Sequence, residues 1–272
     1  MPILDGANID NLRRMVERGG DLRAVQLDAV RLGAAFELAC AAAGGPPELK
    51  RAVEQWSRTH DVLLRACRAL DGGHDDVSMW SWPEMEIAAG PESGDEMATK
   101  WGLHRDRFGR SLQRRLRLPG ALARAITGAY GEMADNVISH AAPEGSPAVR
   151  AVVGYAVYET SFAFAVADLG RGVLASLRES HPIETHRSAL DAAIRRGVTR
   201  RDHFNSGTGF PKLHEALADL AGVLRFRSGD SALTLDGRGA SRLPRFSTSP
   251  DLPGFQLTVA CEMPLVPRPS PP

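Results

Sequence analysis

The chain has 272 residues, of which 43% are hydrophobic and 24% charged, as is ordinary for a globular protein with a substantial core. Lysine plus arginine equals aspartate plus glutamate at 33 each, so no net field attracts nucleic acid or an anionic membrane. No apolar stretch approaches the roughly 20 residues of a membrane span, the start of the chain lacks a signal-peptide pattern, and the three cysteines are scattered without metal-ligand spacing. These features predict a cytoplasmic protein that binds neither a membrane nor nucleic acid.

Residues 1–75 are rich in alanine, leucine and arginine and predict a mostly helical N-terminal region. Helices are expected at 10–20, 33–45 and 48–70, and the first two end at paired glycines, as helices commonly do. Residues 21–32 fit either a short strand or a helix. A helical region and a degenerate STAS-like domain therefore both stay open.

Residues 76–95 change composition abruptly, with glycine, proline, acids and two close tryptophans, and predict a linker. The linker contains one expected strand, at 77–87, which can join the sheet of the domain that follows. The proline-rich end of the chain, at 267–272, is expected to be a disordered tail.

The second half of the chain, residues 96–266, has a more regular order of elements. Its expected elements are a basic helix at 103–116, a helix at 119–140, a hairpin of strands at 148–159 and 161–169, a charged helical region at 173–202, a glycine loop at 206–209 with a helix after it, and strands at 223–229, 231–237 and 255–265.

The helix expected at 119–140 carries the first functional signal. An apolar stripe recurs along it at helical spacing, formed by Leu122, Ile126, Met133 and Val137. Glu132, Asn136 and His140 are spaced four apart and lie along one edge beside that stripe. Asparagine offers a hard carbonyl oxygen to Mg²⁺, and a carboxylate can take a proton from an attacking oxygen. Taken alone, the helix is explained more simply by a solvated polar face.

Two further motifs follow in chain order. The strand at 161–169 ends at Asp168, whose carboxylate can accept a hydrogen bond from the amine of adenine, and Gly170 and Gly172 let the backbone pass close to a flat base. A glycine-rich loop then enters a helix, where backbone amides suit phosphates; the loop residues are Ser206, Gly207, Thr208, Gly209 and Phe210. Lys212, in the first turn of that helix, fits a phosphate clamp and ordinary surface charge equally well.

Together these motifs resemble the N-box, G1 box and G2 box of the GHKL superfamily, which includes histidine kinases, anti-sigma-factor kinases, gyrase and heat-shock chaperones. The matching segments are 132–141, 168–172 and 207–210, in the family's order. The layout is closest to stand-alone bacterial ATP-binding proteins and anti-sigma-factor kinases. The resemblance implies an α+β fold for 96–266, namely the Bergerat fold, a two-layer α/β sandwich with a mixed sheet, preceded by the smaller N-terminal region.

The resemblance also implies that ATP and Mg²⁺ are the ligands. The implied roles are Mg²⁺ binding by Asn136, recognition of the adenine amine by Asp168, contact with the base at Gly170 and Gly172, approach to the phosphates at Gly207 and Gly209, and general-base catalysis by Glu132. Residues 173–206 would form the lid over the nucleotide. Phe210 and Pro211 depart from the family's usual continuation, which leaves hydrolysis an open question.

Rival patterns explain less of the chain. Residues 170–175 mimic a dinucleotide fingerprint, but the parallel strand that a Rossmann fold requires does not follow, and no Walker A sequence occurs. His60 followed by Asp61 resembles a phosphoacceptor box, but a second long helix for a dimerisation hairpin is missing. The six arginines between 105 and 117 are explained more simply by a solvated helix face than by a nucleic-acid site.

The function that the resemblance implies is a regulatory kinase that uses ATP to phosphorylate a serine on a protein partner, such as a STAS-type antagonist or a sigma factor. An ATP-driven conformational switch and a catalytically degenerate nucleotide-binding module are the alternatives. The sequence also leaves a homodimer open.

Overall fold

The computed structural model describes residues 3–4, 6–22, 25, 27, 29–72, 84–90, 95–137, 141, 149–196, 220, 222–237 and 243–263. The helices in these ranges are α1 (Gly6–Glu17), α2 (Leu32–Gly44), α3 (Pro47–Ser57), α4 (Asp61–Leu70), α5 (Asp95–Leu116), α6 (Gly120–Asn136), α7 (Gly172–Arg178) and α8 (His186–Arg196). The strands are β1 (Ile3–Leu4), β2 (Ala29–Val30), β3 (Glu84–Ala89), β4 (Ala151–Val157), β5 (Ser161–Asp168), β6 (Val223–Asp236) and β7 (Arg245–Glu262). No helix in the described ranges is long and apolar enough to cross a membrane.

Five of the strands form one sheet in the order β3-β4-β5-β7-β6, and every neighbouring pair is antiparallel. The expectation of a mixed sheet is therefore wrong for these strands, although the broader α+β class is confirmed. β4 and β5 form the expected hairpin, because the three residues between them leave room only for a tight turn. β1 and β2 form a separate two-stranded parallel pair.

The outer strands of the sheet differ from the expected ones. β3 lies at one edge, on residues 84–89 of the strand expected at 77–87; residues 77–83 lie outside the described ones. At the other edge, the strands expected at 223–229 and 231–237 are a single strand, β6. Its pairing with β7 shifts register around Gly229, where φ is +60°. Gly229 marks a β-bulge within a strand, although its sequence fits a turn between two strands.

Helices cover both faces of the sheet. On β5, the side chains of Phe162, Phe164 and Val166 point to one face, here called the front face, and those of Ala165 and Ala167 to the opposite, back face. The front face packs against α5, α6 and α8, and the core behind the back face is built from α1 to α4. The N-terminal helices thus add a third layer to the two-layer sandwich expected of 96–266.

α2 is the central helix of the back layer. Its residues from Leu32 to Ala42 are all buried, and all of them except Glu37 are apolar, as is typical of a helix that is enclosed on every side. The approach to the sheet is close: a Cβ atom added to Gly33 would lie 2.0 Å from Oγ1 of Thr258. Small side chains on the helix and on the facing strands therefore set the distance between these two layers.

The single helix expected at 48–70 is divided into α3 and α4. The backbone amide of His60 and the hydroxyl of Thr59 each donate to the carbonyl oxygen of Trp56, both at 3.1 Å, and these bonds end α3. α4 then begins at Asp61, whose carboxylate is well placed in the first turn of a helix. His60 therefore precedes a short helix and does not lie within a long one.

A group of buried charges joins the back layer to the sheet, and we call it the interlayer ion cluster. Asp10 on α1 and Glu37 on α2 face Arg225 and Arg227 on β6. Arg227 Nη1 lies 2.5 Å from Asp10 Oδ1, and Arg225 Nε lies 2.8 Å from Glu37 Oε1. The Arg227 side chain is 0% exposed, and both carboxylates are buried. The cluster contains two acids and two bases, so its formal charges balance.

Candidate functional site

α6 carries two of the predicted site residues near its C-terminal end. Its apolar stripe packs into the front core, with Ile126 and Met133 fully buried, so the helix is fixed in rotation. This rotation leaves Glu132 exposed and Asn136 half-buried at the last residue of the helix. His140 lies outside the described residues.

Asp168 ends β5 as a fully buried carboxylate, with 0% of its surface exposed. Its Oδ1 atom accepts a hydrogen bond of 2.7 Å from the backbone amide of Gly170. Its Oδ2 atom is also buried and has no hydrogen-bond partner among the described residues. Burial raises the pKa of Asp168 to about 7, although the backbone amides of Gly170 and Phe255 act to lower it. The carboxylate thus has one satisfied oxygen and one that lacks a donor.

The loop after Asp168 contacts Ala141, which follows α6 in the chain. The backbone amide of Arg171 donates to the carbonyl oxygen of Ala141 at 3.0 Å. A Cβ atom added to Gly170 would lie 2.3 Å from that same oxygen, so only glycine fits there. The structure therefore brings Ala141, five residues after Asn136, to the loop that carries Gly170.

β6 and β7 pack against this loop through Ser228 and Gly254, which lie outside the three sequence motifs. Gly172 has φ +75°, and a Cβ atom on it would lie 2.7 Å from Oγ of Ser228. Gly254 has φ +74°, and a Cβ atom on it would lie 2.0 Å from the backbone oxygen of Asp168. The Pro253-Gly254 pair is a turn signal in the sequence, and Ser228 belongs to the segment RFRSG at 225–229, which also resembles the stand-alone bacterial ATP-binding proteins.

The phosphate end of the predicted site lies largely outside the described residues. This applies to Gly207, Thr208, Gly209 and Lys212. The predicted lid, residues 173–206, contains most of α7, which begins at Gly172, and all of α8. α8 packs on the bulge of β6. The ring of His186 at the start of α8 covers Gly229, where a Cβ atom would lie 2.3 Å from the imidazole.

Three of the six arginines of the basic run pair with acids of β3, and four of the six are exposed to solvent. Arg115 Nε lies 2.7 Å from Glu84 Oε2, and Arg107 Nε donates to Glu86 Oε2 at 2.8 Å. His104 Nδ1 lies 3.0 Å from Glu86 Oε1. Burial raises the pKa of Glu86, but the hydrogen bonds from His104 and Arg107 outweigh that effect and lower the pKa to about 2. These contacts fasten the edge strand to α5.

Comparison with known proteins adds no family assignment. A scan against protein-family models finds no match, and a search of curated proteins finds no significant relative. The likeness to the GHKL superfamily therefore rests on the sequence motifs.

Proposed function

We propose that the chain binds an adenine nucleotide with the base against the end of β5. The observation that carries this proposal is Oδ2 of Asp168, a buried acceptor without a donor among the described residues. A buried acceptor left unpaired costs about 1–3 kcal/mol, and the exocyclic amine of adenine would supply the missing donor. Oδ2 is fully buried, and Gly170 and Gly172 pack closely against Ala141 and Ser228, so a flat base reaches this oxygen only when the loop moves.

The proposal extends to Mg²⁺ and to phosphoryl transfer, as the resemblance to anti-sigma-factor kinases implies. Asn136 is half-buried at the last residue of α6, and its amide oxygen would serve as one ligand of a Mg²⁺ ion that carries the nucleotide phosphates. In the transfer step, a serine hydroxyl of the protein partner attacks the γ-phosphorus and ADP leaves. The exposed carboxylate of Glu132 accepts the hydroxyl proton. The partner would be a regulatory protein, such as a STAS-type antagonist or a sigma factor.

A switch without transfer is the second candidate, and the position of α7 favours it. α7 begins at Gly172, so a base seated on the loop contacts the first turn of this helix. Nucleotide would then shift α7 and α8 and alter the binding of a partner. A degenerate module that only holds nucleotide uses the same contacts.

Titration calorimetry with ATP, in the presence and absence of Mg²⁺, tests the proposal. We expect Asn136→Ala to weaken ATP binding only when Mg²⁺ is present. Glu132→Ala should leave the affinity nearly intact and reduce turnover by roughly 10²- to 10⁴-fold, as is usual for a lost general base. The exposed acid of α5, Asp106→Asn, is the matched control for both.

The outcomes separate the candidates. Phosphate transfer from ATP onto a protein that co-purifies with the chain supports the kinase. ATP turnover without transfer favours the switch, and binding without turnover favours the degenerate module. An absence of ATP binding by the wild-type chain would refute all three.

A further inference from the structure

We infer that Ser228 is a positioning residue for base recognition by Asp168, an inference that rests on the proposed function. Ser228 lies on β6, on the front face of the sheet, and only 1% of its surface is exposed. It is far from Asp168 in sequence and outside all three motifs. Its contacts place it between Val173, just after the loop that follows Asp168, and Gly254, within β7.

The hydroxyl of Ser228 joins two segments that border Asp168. Its Oγ atom accepts a hydrogen bond of 3.0 Å from the backbone amide of Val173, the residue after Gly172. The same hydroxyl donates to the carbonyl oxygen of Gly254 on β7 at 2.8 Å. A single hydroxyl thus satisfies one donor and one acceptor from segments that are remote in sequence, and it ties them together.

The backbone around these hydrogen bonds is closely packed at two glycines. Gly172 and Gly254 both have positive φ angles, and a Cβ atom on Gly172 would lie 2.7 Å from Ser228 Oγ. A Cβ atom on Gly254 would lie 2.5 Å from Oδ1 of Asp168. A continuous series of contacts therefore joins Gly172, Ser228 and Gly254 to the carboxylate of Asp168.

This arrangement fixes the direction of the free carboxylate oxygen. Oδ1 of Asp168 is held at one end of the loop by the amide of Gly170, and Ser228 holds the other end through Val173. Without the hydroxyl, the Val173 amide loses its acceptor and the Gly254 carbonyl loses its donor. The loop then relaxes, and Oδ2 no longer keeps the direction that distinguishes an amine from a carbonyl.

The experiment compares ATP and GTP as competitors for a bound fluorescent nucleotide, using the full chain. Ser228→Ala should reduce the preference for ATP by about five- to tenfold, the effect of one lost hydrogen bond on an ordered site. Ser228→Thr keeps the oxygen and should restore most of the preference. Ser111→Ala removes an equally buried hydroxyl, which donates to Glu84 between α5 and β3, and should leave the preference unchanged.

The results distinguish this inference from the function on which it rests. A wild-type chain that binds ATP and GTP equally would refute base recognition by Asp168, and the role of Ser228 with it. A wild-type preference for ATP that survives in Ser228→Ala would overturn the role of Ser228 alone. If the alanine variant does not fold, Ser228→Cys keeps the volume with only a weak hydrogen-bonding group. It should show the same reduced preference, and an unchanged preference would overturn the inference.

Discussion

Asp168 is an unusual residue for the interior of a protein, since buried carboxylates generally have a charged partner. No salt bridge joins it to a cation in the part of the chain that the structure describes, and the groups that counteract its burial are the neutral backbone amides of Gly170 and Phe255. Its surroundings therefore disfavour the charged form, as the raised pKa reflects. A ligand that donates a hydrogen bond to Oδ2 would relieve part of this cost.

The first prediction at this scale concerns the choice of base. Guanine presents a carbonyl where adenine presents its amine, so two acceptors would face each other at an ionised Asp168, and the comparison is made at pH 8, above the pKa of about 7. We expect the wild-type chain to prefer ATP over GTP by about 30- to 150-fold, or roughly 2–3 kcal/mol. Asp168→Asn should weaken ATP binding and shrink this preference, because the amide can turn a donor toward guanine. Competition for a fluorescent nucleotide measures both affinities, and an unchanged ratio in the variant would place the base elsewhere.

The second prediction concerns pH and stability without nucleotide. The pKa of Asp168 rises from 3.8 to about 7 on folding, so between these values the native state keeps a proton that the unfolded state releases. This group therefore lowers stability as pH rises from 4 to 7, by at most about 1.4 kcal/mol per pH unit. Asp168→Asn should lack this component. Urea unfolding at pH 5 and pH 7 measures the difference, and a variant with the wild-type pH slope would contradict the raised pKa.

Asp168 and its two glycines are predictable from the sequence because the whole motif is local: a strand end followed by glycines. Ser228 and Gly254 are not predictable in this way. Their roles arise where β6, β7 and the loop meet, and neither a buried serine nor a Pro-Gly turn indicates such a meeting. Sequence periodicity shows which face a residue occupies, but not which distant backbone atom it will contact.

The elements themselves show the same division between local and distant causes. The β4–β5 hairpin follows from two alternating apolar runs separated by a short turn. The break between α3 and α4 does not follow from the local sequence, since residues 58–60 contain neither glycine nor proline. It depends on the hydrogen bonds that Thr59 and His60 donate to the carbonyl oxygen of Trp56. The continuity of β6 also escapes prediction, because Gly229 fits a turn as well as it fits a bulge.

The third prediction tests how β3 is held to α5. The pKa of Glu86 is lowered to about 2, so its ion pairs stabilise the fold above pH 4.5, and this contribution is lost as pH falls toward 2. Glu86→Gln should lower the free energy of unfolding by about 2–3 kcal/mol at pH 7 and by less at pH 3. Glu48→Gln removes an exposed pair with Arg51 and should cost less than about 1 kcal/mol. If Glu86→Gln lowers the free energy of unfolding at pH 7 no more than Glu48→Gln does, the ion pairs of Glu86 do not hold β3 to α5.

For the molecule as a whole, the interlayer ion cluster is a buried polar link between the two halves of the chain. Removal of one acid would leave a buried arginine without its full complement of charge. We therefore expect Glu37→Gln to cost about 3–5 kcal/mol in urea unfolding at pH 7. The matched control is Asp71→Asn, which breaks an exposed pair with Arg150 and should cost less than about 1 kcal/mol. Equal losses in the two variants would show that the cluster contributes little.

The same cluster bears on whether the half of the chain that we propose binds nucleotide can fold without the N-terminal helices. A polypeptide that begins at β3 would carry Arg225 and Arg227 on a sheet face stripped of the carboxylates that neutralise them. That face would also expose the alanines against which α2 packs. Such a fragment would fold only when the N-terminal piece is supplied in trans. The fraction of the fragment that binds nucleotide would then rise with the concentration of the N-terminal piece, although that piece has no proposed contact with the nucleotide.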